Sequence, residues 1–199
     1  ADTASKPLYG APLSSLSPSQ IAAIRSLPAN KELKPPVIQE RRPVRNFVAD
    51  DYWEQERTQI FRNKPISIAP SAALPDRGSV MAHDGYGLPL LLTRDKQGKV
   101  RIFLNACTHK GAMLVEDGAV KKWSTVSCPF HAWTYGLDGR LIGVPREETL
   151  CGFDKKSRPL TELPSCEAGG IIWGILNPQA EPDFALLSDQ VTDDLEHLG

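Results

Sequence analysis

A chain of 199 residues, 41% apolar and 24% charged, is long enough for one well-packed domain with attachments and has an ordinary globular composition. Its 23 Lys and Arg against 24 Asp and Glu leave a net charge of −1, so bulk charge favours neither nucleic acid nor an anionic membrane as a partner. No apolar run is long enough to span a bilayer, and the start Ala1-Asp2-Thr3-Ala4-Ser5-Lys6 lacks a secretory apolar stretch, so a cytoplasmic protein is expected.

Taken in chain order, residues 1–64 read as a helix-prone, proline-punctuated segment. Ser17-Pro18-Ser19-Gln20 places Ser at an N-cap, Pro at the first helical position and Gln three residues after the cap. Ile21, Ala22, Ile24 and Leu27 give that helix its apolar positions, and Pro28 stops it. Lys34–Arg45, with Pro35, Pro36 and Pro43, reads as an extended connector. A second helix is expected over about Asp51–Arg62, anchored by Trp53, Ile60 and Phe61.

From Pro65 the pattern changes to short strands, and residues 65–180 read as an antiparallel β domain. Val80–Ala82, Leu88–Thr93 and Val100–Leu104 are apolar or β-branched runs, the last two joined by the turn Asp95-Lys96-Gln97-Gly98. Lys121–Ser127 and Ala132–Tyr135 follow. A turn through Leu137-Asp138-Gly139 leads into Arg140–Val144, and Gly169–Leu176 reads as a buried closing strand. Residues 181–199 form a second helical attachment.

Two short pairs carry the chemistry. Cys107-Thr108-His109 and Cys128-Pro129-Phe130-His131, with 18 residues between them, each supply one thiolate and one imidazole from a hairpin tip. A mixed Cys2His2 set is what a Rieske [2Fe–2S] centre requires, two cysteines on one iron and two histidines on the other. Structural zinc sites more often group cysteines with cysteines and histidines with histidines, so a zinc module is the weaker alternative. Cys151 and Cys166 are left over and are expected as free thiols in a reducing compartment. His83 reads as an ordinary surface or core histidine. His197, beside Asp193, Asp194 and Glu196, lacks the second histidine of a facial triad.

Asn105-Ala106-Cys107-Thr108-His109-Lys110-Gly111-Ala112 and Cys128-Pro129-Phe130-His131-Ala132-Trp133-Thr134-Tyr135, followed by Asp138-Gly139, resemble the Rieske domain of aromatic ring-hydroxylating oxygenase α subunits. The resemblance implies a mainly β Rieske fold of small antiparallel sheets with two cluster-binding loops and helical attachments at both ends. It implies Cys107, His109, Cys128 and His131 as ligands of a [2Fe–2S] cluster, with Trp133 packed beneath it. His109 and His131 are then also electron ports, and ionisation of their second nitrogens would lower the potential as pH rises.

Departures from related patterns add detail. Ala112 and Phe130 stand where the Rieske proteins of cytochrome complexes carry two bridging cysteines, so that disulfide is impossible here. Those centres also place hydroxyls near the sulfurs, so a potential at the low end of the range of about −150 to +300 mV is expected. Lys110 replaces the usual Arg and is either solvated or a donor contact. Ala132 replaces the usual Gly, a strain of about 1 kcal/mol or more if the position needs positive φ. Lys121-Lys122 reads as a solvated hairpin face, with donor binding as the alternative.

The family's mononuclear Fe(II) lies in a catalytic domain downstream of the Rieske domain, and this chain supplies no facial triad. The expectation is therefore one-electron transfer, not hydroxylation by this chain alone. A ferredoxin or flavin reductase would be the donor, and the catalytic domain of the same or a neighbouring subunit the acceptor, within a trimer or α3β3 parent oligomer of aromatic hydrocarbon catabolism. Residues 181–199 would begin the link to that domain. A stand-alone Rieske-type ferredoxin is the alternative.

Overall fold

Apolar residues at every second position, and apolar runs between turn residues, build an almost wholly antiparallel β structure in this computed structural model, which describes residues 17–26, 40–116, 119–187 and 189–198. The strands are β1 (Ile66–Pro70), β2 (Ser79–His83), β3 (Leu90–Arg94), β4 (Val100–Leu104), β5 (Lys121–Lys122), β6 (Thr125–Ser127), β7 (Thr134–Gly136), β8 (Leu141–Gly143), β9 (Glu162–Leu163), β10 (Ser165–Ala168) and β11 (Ile171–Gly174). They form a five-stranded sheet, β5-β2-β3-β4-β9, and two three-stranded sheets, β1-β11-β10 and β6-β7-β8.

The five-stranded sheet is covered on both faces. Successive side chains of a strand point to opposite sides, so Leu90 and Leu92 of β3 enter one core with Val100 and Ile102 of β4. Leu91 and Phe103 enter the other, together with Cys107, Cys128, Trp133 and Tyr135. This is why residues 88–92 read as a nearly continuous apolar run instead of an alternating one. The second core carries the cysteine pair.

The β3–β4 hairpin is closed by Asp95, only 2% exposed. Its Oδ1 accepts from the Gln97 and Lys99 N–H groups, each at 2.9 Å, and its Oδ2 accepts from Arg101 Nε at 2.9 Å. Burial works to raise the Asp95 pKa, but the bonds from Arg101, Lys99 and Gln97 outweigh it and hold the carboxyl below the usual range. Next to it, Arg94 makes a bidentate pair with Glu167 of β10 at 2.9 and 2.6 Å, tying two sheets together.

Helix α1 (Pro18–Ser26) starts as expected: the Gln20 N–H donates to Ser17 Oγ at 3.2 Å, and the Ser17 N–H to Gln20 Oε1 at 2.8 Å. Leu27, Pro28 and the first half of the expected connector, residues 34–39, lie outside the described residues. The expected Asp51–Arg62 helix is present as α3 (Asp50–Glu56) running without a break into a π-helical turn at Arg57–Phe61, and a short α2 (Arg45–Val48) precedes it. Its supposed anchors Trp53, Ile60 and Phe61 are exposed, because this segment lies outside both cores. Trp53 and Phe61 pack on each other, ring centroids 5.8 Å apart. Helix α4 (Asp189–Leu198) sits on the β10–β11 turn, where a Cβ at Gly169 would lie 2.9 Å from Leu195 Cβ, and α1 packs against α4.

Candidate metal centre

Two loops with the same backbone design present the four expected ligands. In the first, the Cys107 N–H donates to the Ala112 carbonyl at 2.8 Å and the Gly111 N–H to the Cys107 carbonyl at 2.8 Å. In the second, the Cys128 N–H donates to the Trp133 carbonyl at 2.8 Å and the Ala132 N–H to the Cys128 carbonyl at 2.9 Å. Each loop thus closes from its cysteine to the fifth residue on. Each also turns at the fourth residue through a left-handed conformation, φ 75° at Gly111 and φ 53° at Ala132. Positive φ at Ala132 is the condition under which its replacement of Gly carries strain.

Side-chain hydrogen bonds brace both loops, buried in the first and exposed in the second. Asn105 accepts at Oδ1 from the Leu114 and Val115 N–H groups, each at 3.1 Å, and donates from Nδ2 to the Val115 carbonyl at 2.6 Å. In the second loop the Thr134 hydroxyl donates to the Ala132 carbonyl at 3.1 Å or pairs with Ser127 Oγ at 2.8 Å. Between the loops and the core, Gly139 at φ 81° leaves room for Phe103, whose ring would stand 2.4 Å from a Cβ there.

The donors are sorted by type. Cys107 and Cys128 are 2% and 4% exposed, whereas His109 and His131 are exposed, with ring centroids 4.8 Å apart at an edge-on 72°. Trp133 is buried and stacks on His109 at 4.7 Å and 9°, with Phe153 edge-on behind it at 5.3 Å. Phe130, 67% exposed, meets His131 at 4.3 Å. Desolvation first, then the neighbouring His131 and Lys110, hold the His109 imidazole below its usual pKa and favour the neutral, metal-binding form. The histidine edge opens on a cleft of about 520 Å³ also lined by Trp133, Pro145, Leu150 and Phe153.

Tyr135, to which the sequence alone gives no role, reaches the same site. Its buried hydroxyl lies 3.2 Å from Cys107 Sγ. Burial and that sulfur push its pKa up to about 12, so it keeps its proton. The signal was the spacing: two residues after Trp133 on an extended segment, it faces the same side. Its presence bears on the expected low potential, since a hydroxyl does stand near a cysteine sulfur here.

The donor set fits a binuclear group. Two buried thiols and two exposed imidazoles match the two chemically different ends of a Rieske cluster. The other candidates are elsewhere: His83 accepts from the Gly85 N–H at 3.2 Å and stacks on Tyr86, while the His197 side chain lies outside the described residues. Lys121 lies 5.0 Å over the Trp123 ring and Lys122 pairs with Asp76 at 3.0 Å. Cys151 and Cys166 are free.

Residues 64–162 match the family described as the Rieske [2Fe-2S] domain, and the chain carries such a domain. It is homologous, over part of their length, to the large subunits of Rieske oxygenases, which pair a Rieske cluster with a mononuclear iron. It is 28% identical over 138 residues to the carnitine monooxygenase oxygenase subunit of Escherichia coli (strain K12), covering 69% of this chain and 37% of that protein. To the anthranilate 1,2-dioxygenase large subunit of Acinetobacter baylyi it is 32% identical over 135 residues, 67% of this chain and 28% of that one. A solved quaternary ammonium Rieske monooxygenase, described with inter-subunit electron transfer, superposes with a TM-score of 0.64 at 25% identity, covering 77% of this chain and 44% of its own. The chain spans about a third of the length of the curated relatives it matches. Among the described residues no helix is long and apolar enough to cross a membrane.

Proposed function

We propose that Cys107 and Cys128 hold one iron of the [2Fe–2S] group and His109 and His131 the other. In this reading residues 65–180 serve as the electron-transfer domain of a terminal oxygenase, preceded by the helical segment 1–64 and followed by the start of a link at 181–199. The observation that carries it is the pair of equivalent loops with thiols inward and imidazoles outward. The bound group supplies one-electron chemistry, at a potential set by its ligands and hydrogen bonds.

The chain's own residues then have separate tasks. Trp133 and Phe153 fix the His109 ring and keep water from its inner face. Tyr135 addresses Cys107, and the exposed His109–His131 edge is the face that a ferredoxin or flavin reductase, and the mononuclear Fe(II) acceptor, would approach. That iron would belong to a catalytic domain of the same or a neighbouring subunit, in a cytoplasmic trimer or α3β3 assembly.

The motif resemblance supports an aromatic ring as the parent enzyme's substrate, in ring-hydroxylating dioxygenase chemistry. A quaternary ammonium substrate is the second reading, favoured by the match to carnitine monooxygenase. EPR of the dithionite-reduced protein, with iron and zinc measured on the same sample, tests the ligand assignment. About two irons per chain with an anisotropic Rieske signal are expected. One zinc with no signal would replace the reading with a structural zinc module.

A further inference from the structure

The hydroxyls behind Cys107 have fewer protons than acceptors. The Tyr135 hydroxyl meets Cys107 Sγ at 3.2 Å, the Thr108 N–H at 3.1 Å and the Thr108 hydroxyl at 2.9 Å. An amide N–H only donates, so it occupies the phenol oxygen as acceptor. The Thr108 hydroxyl also stands 3.1 Å from the Arg158 carbonyl, which only accepts. A carbonyl is a better destination for the Thr108 proton than a phenol oxygen already engaged. With that proton committed to Arg158, Thr108 Oγ1 turns a lone pair towards Tyr135. The single Tyr135 proton then has two acceptors, the Cys107 sulfur and the Thr108 oxygen.

We propose that Thr108 is a positioning residue that draws the Tyr135 proton away from Cys107 and so holds the reduction potential of the bound [2Fe–2S] group down. The inference rests on the ligand assignment above. A donor on a ligand sulfur stabilises the more negative, reduced form and raises the potential. An acceptor competing for that donor works in the opposite direction. Arg158 belongs to the segment that walls the cleft beside the histidines, so the backbone there participates in the setting.

Thr108→Val keeps the branched shape and the N–H and removes only the hydroxyl. The expected result, read by voltammetry on protein whose Rieske EPR signal is retained, is a three- to tenfold gain in the one-electron reduction constant. That is a rise of about 30–60 mV at 59 mV per tenfold. Thr108→Ala shifts the same way and decides the matter if the Val variant does not load, while Thr108→Ser restores the original potential. In a Tyr135→Phe background, Thr108→Val leaves the potential unmoved, since no proton remains to compete for. A purely structural role would lower thermal stability in both backgrounds without any tyrosine-dependent shift in potential. An unchanged or lower potential in loaded Thr108→Val overturns the proposal, as does an equal rise without Tyr135. Absence of a Rieske signal from the unaltered protein would instead sink the ligand assignment, and the proposal with it.

Discussion

Exchanging the two left-handed residues of the cluster loops isolates the cost of backbone conformation at a metal site. At Gly111 an added Cβ meets nothing within 4 Å, so Gly111→Ala introduces no clash. It introduces only a side chain at φ 75°. The left-handed conformation costs an L-residue about 1–2 kcal/mol, and the smaller unfolded-state entropy of Ala returns roughly 0.4–1 kcal/mol of this. The expected net loss is about 0.5–1 kcal/mol. Ala132→Gly runs the same balance backwards, from φ 53°, and should gain a similar amount. At roughly 2–4 °C per kcal/mol for a chain of this size, each change moves Tm by about 1–4 °C, in opposite directions. The double exchange should return close to the starting value. Thermal unfolding followed by circular dichroism, on samples matched for iron content, reads all three variants. A loss of stability in Ala132→Gly, or none in Gly111→Ala, would refute the equivalence of the two loops.

Asn105→Leu leaves the Leu114 and Val115 N–H groups without their buried acceptor and should cost about 2–4 kcal/mol, with a fall in iron per chain measured on purified protein. Gly139→Ala drives a Cβ to 2.4 Å from Phe103 at φ 81° and should cost about 2–4 kcal/mol in urea unfolding; a cost under about 1 kcal/mol would contradict the close approach. The depressed pKa of Asp95 sets a pH dependence. Its stabilisation is fully present above the unfolded value of about 3.9 and is lost as pH falls through the lower folded value. The Tm gap between the unaltered protein and Asp95→Asn should therefore narrow on acidification from about pH 5 to pH 2. A constant gap across that range would remove Asp95 from the account.

The two Cys/His pairs stand out in the sequence because residue type and short spacing mark them, and the fold brings both loops to one end of the same core. The β3–β4 hairpin was legible because Asp95-Lys96-Gln97-Gly98 sits between two apolar runs. What stayed hidden was pairing over distance. Lys121–Ser127 reads as one lead-in to Cys128, yet Lys121 and Lys122 pair with β2 while Thr125–Ser127 pair with β7. No local pattern states which partner a two- or three-residue strand will find, so β9 and β10 escaped notice for the same reason. Trp53, Ile60 and Phe61 show the converse limit, because apolar residues on a helix mark a face without saying whether the chain covers it. Spacing from Trp133 marks the side that Tyr135 faces, but its bond to Cys107, 28 residues away in sequence, is visible only in the fold.

Because β3 and β4 send alternate side chains into both cores, neither core has a wall of its own. Leu91 cannot leave the cluster side while Leu90 and Leu92 stay packed on the other. The two cores should therefore come apart in one step, and metal release on heating should coincide with collapse of the β1-β11-β10 sheet instead of preceding it. A heated sample would then pass from folded, metal-bearing protein to unfolded chain with no stage at which one core survives the other.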